Sequence, residues 1–389
     1  FFQAEDGIRD SWASRGLGDV YKRQAVSSEI EFLKKYYKIE TIYFENYISN
    51  LFFDLLSFIF NSNLKSKRIL KTSLEKFNPD YVYVHNTWFK ASLSIFKLLE
   101  KRKIPTIVKL HNFRYSCTNS YLIKNHTNDI CLACGIPNLS KNYFNKYFQE
   151  SYIKSFLVNR YGKKYYKILS KNNIKVIVLT EFHKKFLTNK IKTFNVPVVF
   201  RNYINFPQRS LSTRSHSSGK FLVYAGRISK EKGVEEVIQA FINQKQPGVT
   251  LKIIGDGPLL DYLKKAYNNQ DIHFLGQISN DSVVNYIENA LAVITATKLY
   301  EGQPTLLSEA SSLGIPSIFP KTGGISEFFP ENYSLSFEQF NYLDMENKIA
   351  MALDVNKSKK IGGENEKYIT KLLDHNKLIN DFRLILNEL

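Results

Sequence analysis

Two glutamates, Glu301 and Glu309, stand eight positions apart in a stretch that suits a phosphorylated ligand. Gly302 permits a tight loop, and Pro304 suits a helix's first turn because its missing N–H has no intrahelical partner there. The free N–H groups of that turn and the positive end of the helix dipole form a seat for phosphate. Glu309, more than one turn further on, can reach a second part of the same ligand. The alternative is a surface helix with two solvated glutamates.

The segment 226–233 (GRISKEKG) carries two cations on a loop between a predicted strand and a predicted helix. Arg227 and Lys232 can each reach a diphosphate from its own side, Arg as a planar fork and Lys as a point charge. Solvated loop cations are the alternative. A strand-to-helix turn of a doubly wound domain is a ligand position, so we favour diphosphate binding.

His111 and Arg114 follow a predicted strand, 105–110, at the end where parallel sheets place their ligand crevice. His111 could donate to a sugar hydroxyl or to an acceptor, and Arg114 could pair with an anion. A histidine satisfied by the backbone is the alternative for His111.

The three cysteines are close together in the sequence, at Cys117, Cys131 and Cys134. With His111 or His126 they could assemble a structural zinc site of the Cys3His type. Reduced thiols without metal are the alternative, because one Cys-x-x-Cys pair is a weak signal. Three cysteines in 389 residues do not make a disulfide scaffold, which favours a reducing compartment.

The elements that must position these residues are alternating strands and helices, which indicate parallel, doubly wound sheets. A chain of 389 residues exceeds one hydrophobic core, so we expect two domains. Residues 1–24 lack periodicity and look like translated adapter read-through, which implies that the native start is missing. The predicted division is a leader at 1–24, a first domain at 25–205 with a returning helix at about 375–389, a linker at 206–220, and a second domain at 221–374.

The net charge of +18 is concentrated in the first domain. Residues 25–205 hold 30 Lys/Arg against 11 Asp/Glu, whereas residues 206–389 hold 20 against 21. The first domain should therefore meet an anionic surface or ligand. Within it, the predicted helix 143–169 is rich in Lys and aromatic residues, as an interfacial helix would be, although burial of one aromatic stripe is the alternative. We expect no nucleic acid, because no recognised nucleic-acid-binding motif occurs.

Taken together, the Glu–seven residues–Glu stretch and the Gly-Arg…Lys-Gly loop resemble the retaining glycosyltransferases of family 4 (group 1). The resemblance implies a GT-B fold, in which two Rossmann-like domains face a central cleft. Such a fold ordinarily begins with a strand and a Gly-rich loop, and we predict that this chain lacks both. A His-Asn-aromatic-Arg segment followed by Cys and Cys-x-x-Cys also occurs in related sequences.

The resemblance implies a metal-independent, retaining hexosyltransferase of bacterial type. It would move a sugar from a nucleotide-sugar to a saccharide or lipid-linked acceptor in polysaccharide biosynthesis. It would be cytoplasmic, with peripheral contact to the inner face of the membrane, and would need no cofactor. The expected site residues are His111 and Glu301 as catalytic groups, Arg227, Lys232, Gly302, Gln303, Pro304, Thr305 and Glu309 on the donor, and Arg114 and Asn202 on the acceptor side.

Two alternatives stay open from the sequence. One is an impaired GT-B frame that acts as an anionic-surface binding module, which the basic first domain and the predicted missing strand favour. The other is a GT-B enzyme that consumes a sugar phosphate. Gln303 and Thr305 stand where many relatives have Phe and Gly or Leu, so the sugar stays undetermined.

Overall fold

The computed structural model describes residues 2–4, 17–44, 56–57, 59–85, 91–113, 151–190, 196–206, 220–244 and 247–389. The chain divides into two compact units. The first is drawn from Phe1–Ala13, Glu29–Asn202 and Asn376–Leu389, and the second from Ser14–Ser28 and Tyr203–His375. Each contains a parallel sheet with helices between its strands, which confirms the predicted α/β class.

The first unit is built on a parallel sheet in the order β2-β1-β3-β4-β5-β6. The strands β3 and β4 are buried at every residue, as expected for apolar parallel strands covered on both faces. The described strands are β1 (Phe2–Ala4), β2 (Ile42–Phe44), β3 (Val82–His85), β4 (Thr106–Leu110), β5 (Ile174–Val178) and β6 (Val198–Val199). The described helices before β7 are α1 (Leu17–Lys34), α2 (Leu64–Phe77), α3 (Ser94–Lys101), α4 (Tyr152–Leu169) and α5 (Glu181–Lys190).

The prediction that the first strand is missing is wrong. Phe2–Ala4 form β1, which pairs in parallel with both β2 and β3. The leader also contributes the start of α1, which begins at Leu17. A strand of three residues is too short for an alternating pattern to be visible, and it is ordered by its two neighbours rather than by its own residues.

The second unit is built on a parallel sheet in the order β12-β11-β10-β7-β8-β9. The chain moves outward from β7 to β9 and then returns to the other side of β7 as β10, so β7 and β10 flank a topological switch point. The strands are β7 (Lys220–Ala225), β8 (Val249–Ile254), β9 (Ile272–Gly276), β10 (Ala292–Ile294), β11 (Ser317–Lys321) and β12 (Ser336–Glu338). The helices are α6 (Val234–Gln244), α7 (Leu260–Ala266), α8 (Asn280–Glu288), α9 (Thr305–Ser312), α10 (Tyr342–Ala352) and α11 (Val355–Leu372).

The last helix, α12 (His375–Asn387), packs within the first unit through Phe382. The ring of Phe382 lies 5.8 Å from Tyr37, 5.7 Å from Tyr83 and 5.4 Å from Phe200. Among the described residues, no helix combines the length and the apolar character that a membrane span requires.

Candidate functional site

The strand ends at the switch point of the second unit approach so closely that two positions require glycine. A Cβ at Gly255, where φ is +139°, would lie 1.9 Å from the carbonyl oxygen of Gly226. A Cβ at Gly233, where φ is +68°, would lie 2.0 Å from the carbonyl oxygen of Ala296. The loop 226–233 is therefore pressed against both the β8 and the β10 exits.

Hydrogen bonds hold the same loop in place behind Arg227. The N–H groups of Gly226 and Ile228 donate to carbonyl oxygens of β8 and its exit loop at 3.0 and 2.9 Å. The hydroxyl of Tyr224 donates to the carbonyl oxygen of Arg227 at 2.8 Å. Burial raises the pKa of Tyr224, and the charges of Glu231 and Glu301 raise it further, so the hydroxyl keeps its proton as a donor. The backbone on both sides of Arg227 is thus held by hydrogen bonds.

The structure brings together Lys232 and Glu301, two of the predicted site residues, across 69 positions of sequence. The Lys232 ammonium donates to Oε1 of Glu301, and the Thr297 hydroxyl donates to the same oxygen at 3.1 Å. The side chains of Lys232 and Glu301 are 31% and 30% exposed. The pair is accessible to a ligand from solvent.

The helix α9 begins at Thr305, one residue later than predicted. Pro304 is its N-cap, and no side chain caps this end. The Pro304 carbonyl accepts the N–H of Ser308 at 2.9 Å, while an α-helix leaves the N–H groups of its first turn without intrahelical partners. Gly302 is buried, and Gln303, Pro304 and Thr305 are half-buried beside this helix start.

Glu309 lies in the same helix and is 5% exposed. Its Oε2 atom is buried and has no hydrogen-bond partner. Burial raises the pKa of this carboxyl from 4.5 to about 7. A buried polar oxygen without a partner costs free energy, and most such oxygens in folded proteins are paired. The position is one at which hydroxyl donors of a ligand would relieve that cost.

In the first unit, His111 stands directly after β4 and contacts a histidine that sequence reasoning missed. Its Nε2 lies 2.9 Å from Nδ1 of His85, the last residue of β3, and the rings stack with centroids 5.2 Å apart. Burial, followed by the charges of His111 and Lys109, lowers the pKa of His85 well below its usual value. The available signal was that His85 stands at the end of one buried strand and His111 directly after the end of the next. Asn202, the last residue of the segment Glu29–Asn202 of the same unit, is also buried.

Beneath this pair lies a buried ionic cluster that was also missed. The Lys109 ammonium lies 2.7 Å from Oε2 of Glu29, and neither side chain is exposed. The Tyr83 hydroxyl donates to Oε1 of Glu29 at 2.8 Å. Burial lowers the pKa of Lys109, while the carboxylate of Glu29 opposes that shift.

Several predicted residues fall outside the described residues: Arg114 and the three cysteines, Cys117, Cys131 and Cys134. Most of the predicted linker at 206–220 also lies there. Within the described residues, no group of three or more side chains is arranged to hold a metal ion.

Comparison with known proteins finds glycosyltransferases. Residues 209–369 match the family described as glycosyl transferases group 1. An uncharacterised glycosyltransferase of Methanocaldococcus jannaschii is 25% identical over 59% of this chain and 63% of its own length. The lipopolysaccharide 1,2-N-acetylglucosaminetransferase of Salmonella typhimurium is 29% identical over 41% of this chain and 47% of its own length. The chain thus spans less than two thirds of these curated relatives.

Solved structures match along the whole chain. Sucrose-phosphate synthase from Thermosynechococcus elongatus gives a TM-score of 0.71 at 14% identity, covering 100% of this chain and 98% of that one. HepE of Anabaena in complex with UDP gives 0.67 at 15% identity, covering 100% and 99%. The chain therefore has the GT-B fold, and its residues 209–369 carry the sequence pattern of the glycosyl transferases group 1.

Proposed function

We propose that this protein is a glycosyltransferase that moves a hexosyl group from a nucleotide-sugar to a saccharide or lipid-linked acceptor. The observation that carries the proposal is the unpartnered, buried Oε2 of Glu309, one turn behind the open N-terminus of α9. A ribose presents two vicinal hydroxyls, and both can donate to one carboxylate. A diphosphate attached to that ribose would then lie toward the helix start and Lys232.

In this mechanism the departing diphosphate is neutralised by Arg227, Lys232 and the N–H groups of residues 302, 303 and 305; Pro304 has no N–H to offer. Preorganised donors that face a developing charge are commonly the largest contribution to catalysis. Cations and a helix end supply this positive potential, so a metal ion is not required for it. Glu301 would contact the donor sugar and stabilise an oxocarbenium-like centre.

The first unit would supply the remaining groups. His111 would face the donor sugar from the end of β4, and Asn202 and Arg114 would lie on the acceptor side. Retention of configuration is the expectation attached to the family 4 resemblance. The transfer would occur on the cytoplasmic side of the membrane.

The names of relatives and neighbours support a proposal for the donor and the product. HepE of Anabaena is described in complex with UDP and with UDP-glucose. TarM of S. aureus, at a TM-score of 0.56, is described in complex with UDP and other ligands. Relatives at 26–32% identity are named for lipopolysaccharide, teichuronic acid and amylovoran biosynthesis. These descriptions support a UDP-sugar donor and a cell-surface polysaccharide as the product.

The test is thermal stabilisation by UDP-, GDP- and ADP-sugars, followed by a transfer assay with the donor that binds. We expect stabilisation by a nucleotide-sugar in the wild type and its loss in Arg227→Ala and Glu309→Ala. Lys230→Ala is the matched control, because it removes an exposed cation from the same loop. If the folded wild-type protein responds to none of these donors, the anionic-surface binding module is the better description.

A further inference from the structure

The outward face of α4 in the first unit divides into an apolar end and a basic end. At 3.6 residues per turn its six residues fall within about 120° of one another around the helix axis, which places them on one side of the helix. The apolar end is Tyr152, Ile153 and Phe156, and the basic end is Lys163, Lys164 and Lys167. We call these six residues the α4 outer face.

The opposite face of α4 packs in the hydrophobic core of the first unit. Val158, Tyr161, Tyr165 and Leu169 are at most 4% exposed and belong to its hydrophobic cluster. The α4 outer face is therefore not a core surface displaced by a register shift. It is the solvent side of a well-packed helix.

The apolar end is unusually exposed for side chains of this size. Tyr152 is 54% exposed, Ile153 74% and Phe156 56%. Single exposed apolar residues are ordinary on protein surfaces, but adjacent ones indicate an interaction site. Two of the three are aromatic, a residue type that favours the boundary between water and lipid headgroups.

The basic end lacks counter-ions on its own helix, because α4 contains five Lys/Arg and no Asp/Glu. Partial burial lowers the pKa of Lys164, and the charges of Arg160 and of Lys97 on α3 lower it further. Lys97 therefore extends the basic end onto the neighbouring helix. Arg160 and Lys97 are near enough to Lys164 to repel it, and an anionic partner would relieve this repulsion.

We propose that the α4 outer face docks the first unit onto an anionic lipid surface. Tyr152, Ile153 and Phe156 would enter the headgroup region, and the lysines would contact lipid phosphates. Helices that lie in a membrane interface combine such an apolar end with lysines. A nucleic acid would use the cations but would gain nothing from a largely exposed isoleucine. This proposal does not depend on the transferase activity, since no donor or acceptor takes part in the docking.

The test is co-sedimentation of the full chain with vesicles of phosphatidylcholine alone or with about one third phosphatidylglycerol. We expect binding to the anionic vesicles, little to the neutral ones, and release as salt is raised, because screening weakens exposed charges. The variant K163E/K164E/K167E should partition about a hundredfold more weakly. The variant I153S/F156S should also bind more weakly, and its residual binding should be more sensitive to salt.

Matched controls come from the second unit. The variant K359E/K360E/K367E makes the same charge change on exposed residues of α11, and L343S removes a leucine that is 69% exposed. Both should bind as the wild type does. The single variant Phe156→Trp adds a reporter, whose emission should shift to the blue with anionic vesicles relative to the wild type.

The proposal is overturned if the wild type ignores anionic vesicles, or if the α4 variants bind like their controls. Binding to nucleic acid that is lost in K163E/K164E/K167E but kept in I153S/F156S would assign the surface to nucleic acid instead. Because the assay contains no sugar nucleotide, a failure here leaves the proposed transferase function intact, and the reverse also holds.

Discussion

Each of the two units buries a glutamate, and the two glutamates differ in whether their carboxylate oxygens have hydrogen-bond partners. Glu29 in the first unit is fully enclosed and receives Lys109 on one oxygen and Tyr83 on the other. Glu309 in the second unit is 5% exposed, yet its Oε2 has no partner and its pKa rises to about 7. Burial is common to both, so burial alone does not distinguish a structural carboxylate from a binding one. The difference is whether the protein itself completes the hydrogen bonding.

The largest effect on stability should come from breaking the buried cluster of Glu29, Lys109 and Tyr83. Lys109→Met leaves Glu29 buried without its counter-ion, and we expect a loss of about 3–5 kcal/mol in stability, measured as a lower unfolding midpoint. The double variant Glu29→Gln/Lys109→Met should recover much of this loss. Lys171→Met removes a cation from the exposed pair with Glu100 and should cost about 1 kcal/mol or less. Equal losses of stability in Lys109→Met and Lys171→Met would contradict the expected difference between the buried and the exposed ion pair.

Glu309, the carboxylate without a partner on Oε2, should lower the stability of the folded protein when it is ionised. The pKa of Glu309 is about 7 in the folded protein, against 4.5 as its ordinary value, so stability is lost as the pH rises from about 4.5 to 7. We expect Glu309→Gln to be more stable than the wild type by about 3 kcal/mol at pH 8, because 2.5 pKa units are involved. Near pH 4.5 the two should be nearly equal. Urea unfolding at both pH values measures the difference, and a constant difference would exclude titration of this group.

Ligand binding should titrate the same group. If the ionised form of Glu309 accepts the ribose hydroxyls, affinity for a nucleoside diphosphate should rise about tenfold between pH 6 and pH 8. Calorimetric titration of the wild type measures this rise. Glu309→Gln serves as the control, since it keeps any contribution from titration of the ligand itself. An equal rise in both proteins would place the titrating group elsewhere.

The smallest effect concerns the pair at the site entrance. Lys232 is neutralised by Glu301 in this structure, so Glu301→Gln should free the cation and raise affinity for a nucleoside diphosphate severalfold. Transfer of the sugar should fall in the same variant. Glu236→Gln, which uncouples the similar pair with Lys298, is the comparison and should leave affinity unchanged. Weaker diphosphate binding in Glu301→Gln would mean that Glu301 positions the Lys232 ammonium for the diphosphate rather than competing with the diphosphate for it.

The sequence by itself determined the alternating strands and helices, the loop 226–233 and the helix after Glu301. These features depend on residues within a few positions of one another, where periodicity, glycine and proline act directly. The observed ends of elements differ from the predicted ones by a residue or more, as at the start of α9, because the terminal turns of a helix depend on their surroundings.

Only the tertiary structure decided which side chains meet. It pairs Lys232 with Glu301, stacks the ring of His85 on that of His111, and pairs Lys109 with the buried Glu29. It also ordered β1, whose three residues carry no visible pattern. Contacts between strand ends are set by strand order and by the packing of the elements between them, and neither is written in local spacing. The state of Glu309 is the clearest case, since a glutamate in a helix is ordinary until its surroundings leave one oxygen buried and unpaired.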